Sequence, residues 1–88
     1  MQLQVGMIVR AAAGKEQNQF WMIVRMDEQY VYLADGKHRT LQNPKRKNPK
    51  HVRATQTAWN PGGLTDKMLR QKLRLFKEGN KFVERRFD

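Results

Sequence analysis

The sequence predicts a small, mainly β domain: a five-stranded barrel followed by one C-terminal α-helix. Three observations lead there. Up to residue 57 the chain is a series of short runs rich in Val, Ile, Tyr, Phe and Trp, broken by turn residues. Their spacing, roughly 8–12 residues, suits a small antiparallel barrel rather than a parallel sheet. Asn60-Pro61-Gly62-Gly63 then forms a cluster of breakers, and beyond it the apolar period becomes that of a helix. A chain of 88 residues makes one small domain with a modest core. The expected division is a barrel over 1–57, a linker over 58–64, and a helix with its tail, docked on the barrel, over 65–88.

The elements follow in order. Residues 5–12 (VGMIVRAA) read as the first strand, with Gly6 at its entry. Residues 13–19 are a polar turn in which Gly14 accepts a left-handed backbone and Asn18 tolerates one. Residues 20–26 (FWMIVRM) have high β propensity and give the second strand. Asp27-Glu28-Gln29 turns the chain into a third strand, 30–34 (YVYLA). Asp35-Gly36 is a two-residue hairpin signal, so 37–41 (KHRTL) is expected to return as the fourth strand. Pro44 and Pro49 make 43–49 a basic loop, and 50–55 (KHVRAT) suits a fifth strand. Thr65 is placed to cap a helix, with Asp66 in its first turn and Leu64 and Leu69 at the staple positions. Gly79 is the expected stop. On a helix over 66–78, Met68, Leu69, Leu73, Leu75 and Phe76 fall on one face, and Lys67, Arg70, Arg74 and Lys77 on the other.

Charge is distributed unevenly. Residues 37–53 hold seven Lys/Arg and no acid, whereas 1–36 hold three against four acids and 54–88 eight against four, for a total of +10. A concentrated cationic block reads as a surface for a polyanion. With only Leu41 and Val52 as large apolar residues, it makes a poor amphipathic helix, which argues against a membrane surface. There is no Cys and no Ser, so thiolate metal sites, disulfides and Cys or Ser nucleophiles are excluded. The two histidines, His38 and His51, lie within the basic block without partners at metal-ligand spacing. No apolar run approaches a membrane span and the start lacks the pattern of a signal peptide. These features predict a non-catalytic, cytoplasmic protein that needs no cofactor.

The run Val5–Val24 resembles the KOW motif, a strand–turn–strand unit built around a glycine. Gly6, Val9, Gly14, Lys15, Phe20 and Val24 match its pattern, and Asn18 stands where many KOW sequences carry a second glycine. The likeness continues through Tyr30–Gly36, Pro44-Lys45-Arg46-Lys47 and Lys50-His51-Val52. Over residues 3–55, and in the helix after Leu64, the chain resembles the small bacterial KOW-domain RNA-binding proteins, which are similar to archaeal and eukaryotic ribosomal proteins of the fourteen-e type. That resemblance implies an SH3-like barrel and contact with RNA or the ribosome, with Gly14, Lys15 and Gln17 of the turn among the contacts.

The expected RNA contacts are therefore Lys15, Gln17, Lys37, Arg39, Lys45, Arg46, Lys47, Lys50, His51 and Arg53, gathered on one surface. Lys67, Arg70, Arg74 and Lys77 offer a second contact. Lys37, Arg39 and Leu41 would share a strand face. Alternation splits the second strand into Phe20, Met22 and Val24, expected inside the barrel, and Trp21, Ile23 and Arg25, expected outside with Trp21 beneath the helix. Tyr30 and Tyr32 lie opposite Val31 and Leu33 and cover the sheet, and Trp59 anchors the tail. The function expected is RNA binding without base-reading helices, and the resemblance implies ribosomal RNA, in translation or ribosome assembly. The alternative is an adaptor that binds an acidic protein through the barrel or the apolar helix face.

Overall fold

A computed structural model describes residues 2–12 and 19–87, with side chains described through 79. It has five strands, β1 (Met7–Ala11), β2 (Phe20–Met26), β3 (Val31–Ala34), β4 (Lys45–Lys47) and β5 (Val52–Ala58), and one helix, α1 (Asp66–Phe87). A 3-10 turn, Pro49–His51, joins β4 to β5. The strands form one antiparallel sheet in the order β4-β3-β2-β1-β5, so the last strand returns beside the first. Among the described residues no ladder joins β4 to β5, so the pairing is that of an open sheet. No helix among the described residues is long and apolar enough to cross a membrane.

The second and third strands fall where alternation and β propensity put them, β2 at its expected bounds. The first starts two residues late. Gly6 adopts φ +95°, donates its N–H to Ile23 O and accepts from Trp59 N–H, which turns the chain before Met7. The fourth strand is not at 37–41. The Asp35 carboxylate accepts the N–H groups of both Lys37 and Arg39 at 2.9 Å, and the Arg39 carbonyl accepts from Asp35 and Gly36. Donors that a hairpin strand would offer to the ladder are thus consumed locally. The turn closes on itself, and Lys37, Arg39 and Leu41 share no strand face. After an isolated bridge between Thr40 and Asn43, strand pairing resumes at Lys45–Lys47, a three-residue edge strand between Pro44 and the Pro49 turn, within the segment expected to be loop. β5 correspondingly runs later than expected, through Ala58.

Both faces of the sheet are buried. One carries Val9, Trp21, Ile23, Val31, Leu33 and Val52, with Leu3 and Met7 packed against them. The other carries Ile8, Met22 and Ala34 beneath Leu69 and Leu73 of α1, with Phe20, Val24, Leu41, Trp59, Leu64 and Phe76 around them. The expected sides of β2 are therefore exchanged. Phe20, Met22 and Val24 meet the helix, and Trp21 and Ile23 lie on the other face. Trp21 is 3% exposed, and its indole N–H has no acceptor among the described residues. Trp59 packs against the helix, edge-on to Phe76 at 6.1 Å, while Phe76 meets Phe20 at 5.1 Å.

The helix begins as its cap predicts: Thr65 Oγ1 accepts from Met68 N–H at 3.1 Å. Asn60–Leu64 is a tight turn, with Asn60 Oδ1 accepting from Gly62 N–H and Pro61 O from Leu64 N–H. Gly79 does not end the helix, which continues to Phe87. A glycine stops a helix by taking a left-handed φ, and Gly79 is not among the glycines that do. Of the expected apolar stripe, Leu69, Leu73 and Phe76 face the sheet. Met68 and Leu75 are left 43% and 62% exposed, because the sheet covers a narrower arc than they span.

Gly36 is where the helix sits down. Its φ is +79°, and a Cβ there would overlap the Asp66 carbonyl oxygen and lie 3.0 Å from Arg70 N. Gly63 has a similar φ of +74° with open space around it. Gly63→Ala is expected to cost about 1 kcal/mol, the backbone term alone. Gly36→Ala should cost at least about 2 kcal/mol more through the helix contact. Urea unfolding of the two variants beside the wild type measures the difference, and equal losses would refute the docking argument.

Candidate nucleic-acid interface

The seven cations of 37–53 do not share one surface. Pairing of Tyr32 with Arg46 puts Arg46 on the helix face of the sheet, because Tyr32 lies two residues from Ala34. Lys45 and Lys47 pair with Leu33 and Val31 and so lie on the opposite face, half-buried. Burial there, and then the charge of Lys47, hold the Lys45 ammonium below the ordinary lysine pKa. A strand alternates its side chains, so a run of three cations that would converge in a loop is divided once it pairs. Lys50 and His51 are exposed on the 3-10 turn, where the His51 carbonyl accepts from Ala12 N–H beside the start of the first polar turn. Gly14, Lys15 and Gln17 of that turn lie outside the described residues.

What the fold does bring together is a groove between α1 and the 35–39 turn. Lys37 and His38 from the turn face Arg70, Arg74 and Lys77 from the helix across an open cavity of about 690 Å³, with Phe20 on its floor. Two bonds hold the walls in place. Arg70 Nη1 donates to Gly36 O at 3.0 Å, and Leu41 N–H donates to Asp66 Oδ1 at 2.8 Å. Asp35 lines the same groove, but one of its carboxylate oxygens accepts from two backbone amides. Arg39 is exposed on the turn without lining the groove, and Lys67 is exposed at the start of the helix stripe.

Two further arginines join this surface: Arg10, which the sequence did not single out, and Arg25, which alternation put on the face of Trp21 and Ile23. Arg10 pairs with Phe20 on one side and with Arg53 on the other, all on the helix face. Like charges directly opposite one another weaken a sheet. Arg25 is turned onto the helix face by a register shift between Ile23 and Arg25, and its guanidinium lies 4.2 Å from the centre of the Tyr32 ring. Arg46 sits 4.6 Å over Tyr30. The available signal was that each is the sole charge in an otherwise apolar strand. The helix face thus collects Arg10, Arg25, Arg46 and Arg53 from the sheet.

Compared with known proteins, the chain matches no protein-family model and no curated protein.

Asp27 fixes the turn that supports the tyrosines. One oxygen accepts from the N–H groups of Gln29 and Tyr30, and the other from Tyr32 Oη at 2.6 Å. The Tyr32 bond first, and then the two backbone bonds, hold the Asp27 carboxyl below its ordinary value of 3.8. The same carboxylate raises the Tyr32 phenol above 10.0. A depressed acid pKa in the folded chain stabilises it at neutral pH, and that contribution disappears as pH falls through the folded value. The Asp27 turn is therefore expected to persist below pH 3.8, and Tyr32 to ionise later than an ordinary tyrosine. NMR titration of the Asp27 carboxyl and the Tyr32 ring checks both, and Asp27→Asn should return the phenol toward its usual range.

Proposed function

We propose that this protein is a non-catalytic RNA-binding module, acting in translation or ribosome assembly, whose main phosphate contact is the groove between α1 and the 35–39 turn. The observation that carries the reading is the convergence of Lys37 and His38 with Arg70, Arg74 and Lys77, residues more than thirty positions apart in sequence. Cations from two elements facing one open groove suit the phosphates of a structured RNA, where shape and charge carry recognition. The basic segment of the sequence contributes Lys37 here and Arg53 beside Arg10. Lys45 and Lys47 fall outside this surface.

We also read the sheet as an SH3-like barrel of the KOW kind. Three features support that. The fifth strand pairs with the first, a 3-10 turn links the fourth to the fifth, and the face carrying Val9, Trp21 and Leu33 is buried although α1 covers the other one. A five-stranded sheet buries its uncovered face by curling over it. One observation favours the adaptor reading instead: Met68 and Leu75 stay exposed along α1 and could meet an apolar partner.

Filter binding to ribosomal RNA stem-loops separates the two. Four groove cations, Lys37, Arg70, Arg74 and Lys77, predict a log–log salt slope of about −3. The pair Arg74→Glu and Lys77→Glu should shrink that slope by about 2 and lower affinity at least about tenfold. Both side chains are exposed, so the melting temperature should hold. Absence of RNA retention at low salt, or affinity indifferent to the reversals, refutes the RNA reading. Salt-tolerant capture of a protein that survives nuclease treatment and is lost in Leu75→Glu supports the adaptor.

A further inference from the structure

The helix face carries a second feature that the phosphate groove does not use. Arg25, Tyr32 and Arg46 stand in one row across β2, β3 and β4, with Tyr30 two residues from Tyr32 on the same side. Each guanidinium lies over a ring, Arg25 on Tyr32 and Arg46 on Tyr30. The rings are themselves held. Asp27 binds the Tyr32 hydroxyl and the Tyr30 amide, so the platform is set before any ligand arrives. Beside it opens a cleft of about 450 Å³, whose wall is formed by Asp27, Glu28, Gln29 and Arg46. The register shift in β2 is what aims Arg25 here. Unbroken alternation from Trp21 and Ile23 would send it to the opposite face.

We propose that this platform binds an unpaired nucleotide of RNA, with the base stacked on the guanidinium and tyrosine planes. The inference rests on the RNA reading above and extends it from duplex phosphates to a single-stranded segment. The chemistry favours a base over a bare phosphate. Arginine planes stacked on aromatic rings present a flat, weakly hydrated surface, which unstacked bases cover at little cost. Asp27 and Glu28 at the rim repel a phosphate placed in the cleft, while Glu28 and Gln29 can accept from the amino edge of a base. The phosphates on either side then fall toward the arginine edges. The groove and the platform lie at opposite ends of β2 and β3, since Phe20 and Asp35 line the first and Arg25 and Tyr30 the second. Five residue steps along β2 lead from Phe20 to Arg25, about 17 Å of strand, so one RNA that changes from paired to unpaired can reach both.

The test uses a blunt RNA hairpin and the same hairpin carrying a short unpaired tail, each titrated by fluorescence anisotropy against the full chain. The wild type should bind the tailed RNA about tenfold more tightly. Arg25→Lys with Arg46→Lys keeps the charge and removes the planes. It should abolish the tail advantage while leaving affinity for the blunt hairpin unchanged. Tyr30→Leu should do the same in part, and ultraviolet crosslinking of the tailed RNA should map to Tyr30 or Tyr32. If the blunt hairpin binds but the tail adds nothing, or the lysine variant keeps the advantage, the platform proposal is wrong and the groove reading stands. If neither RNA binds at low salt, the functional reading itself fails.

Discussion

The clasp between Gly36 and the start of α1 governs the rest of the molecule. At Gly36 the backbone turns at a φ that L side chains resist and presses against the Asp66 carbonyl, where a methyl group would not fit. Two hydrogen bonds close around that contact, Leu41 N–H to Asp66 Oδ1 and Arg70 Nη1 to Gly36 O. The helix is thereby fixed over Ile8, Met22 and Ala34, which could not otherwise be buried on that face. The same contact sets Arg70, Arg74 and Lys77 opposite Lys37 and His38. One backbone approach thus couples core formation to assembly of the cationic groove.

The sheet's alternation then decides which cations belong to which surface. Both faces are apolar at the centre, so charged residues in strands survive only at the ends and edges of the sheet. Arg10 and Arg53 meet at one end of the helix face, and Arg25 reaches the other because a bulge interrupts the alternation of β2. Lys45 and Lys47 are sent to the far side by the pairing that carries Arg46 onto the helix face. Linear clustering in sequence and clustering in space are different quantities. The first is divided by a strand, while the second is created by a turn and a helix that are remote in the chain.

Much of the scaffold was legible because it depends on local patterns. The alternation of Val31 and Leu33 against Tyr30 and Tyr32, the extent of β2, and the Thr65 cap all rest on neighbouring residues, and each is found. The failures share a cause. Asp35-Gly36 carries a hairpin signature, but the Asp35 side chain takes the amides the hairpin needed and Gly36 serves the helix instead. Phe20, Met22 and Val24 form one face as alternation requires, yet nothing local says which face the helix will cover. Gly79 resembles a stop, but a glycine ends a helix only when its φ turns positive. The groove was legible only in halves, as a basic segment and a helix stripe, because its assembly depends on the Gly36 contact.

The acids complete the division of labour. In a protein of net charge +10, surface carboxylates would be expected to neutralise neighbouring cations. Asp27, Asp35 and Asp66 instead direct oxygens to amide donors: Gln29 and Tyr30, Lys37 and Arg39, and Leu41. Asp27 and Asp35 close the turns on which the architecture depends, and Asp66 ties the start of α1 to Leu41. An exposed ion pair contributes at most about 1 kcal/mol, so directing these carboxylates to the backbone costs the fold little. The helix face keeps the positive charge of Arg10, Arg25, Arg46 and Arg53, with Asp27 beside Arg25. Self-repulsion among those cations is a standing cost to the free protein, and on the proposed RNA-binding reading a polyanion lying across them relieves it. On this account the charge surplus is organised rather than merely abundant: acids fix backbone amides, and the backbone so fixed places the cations.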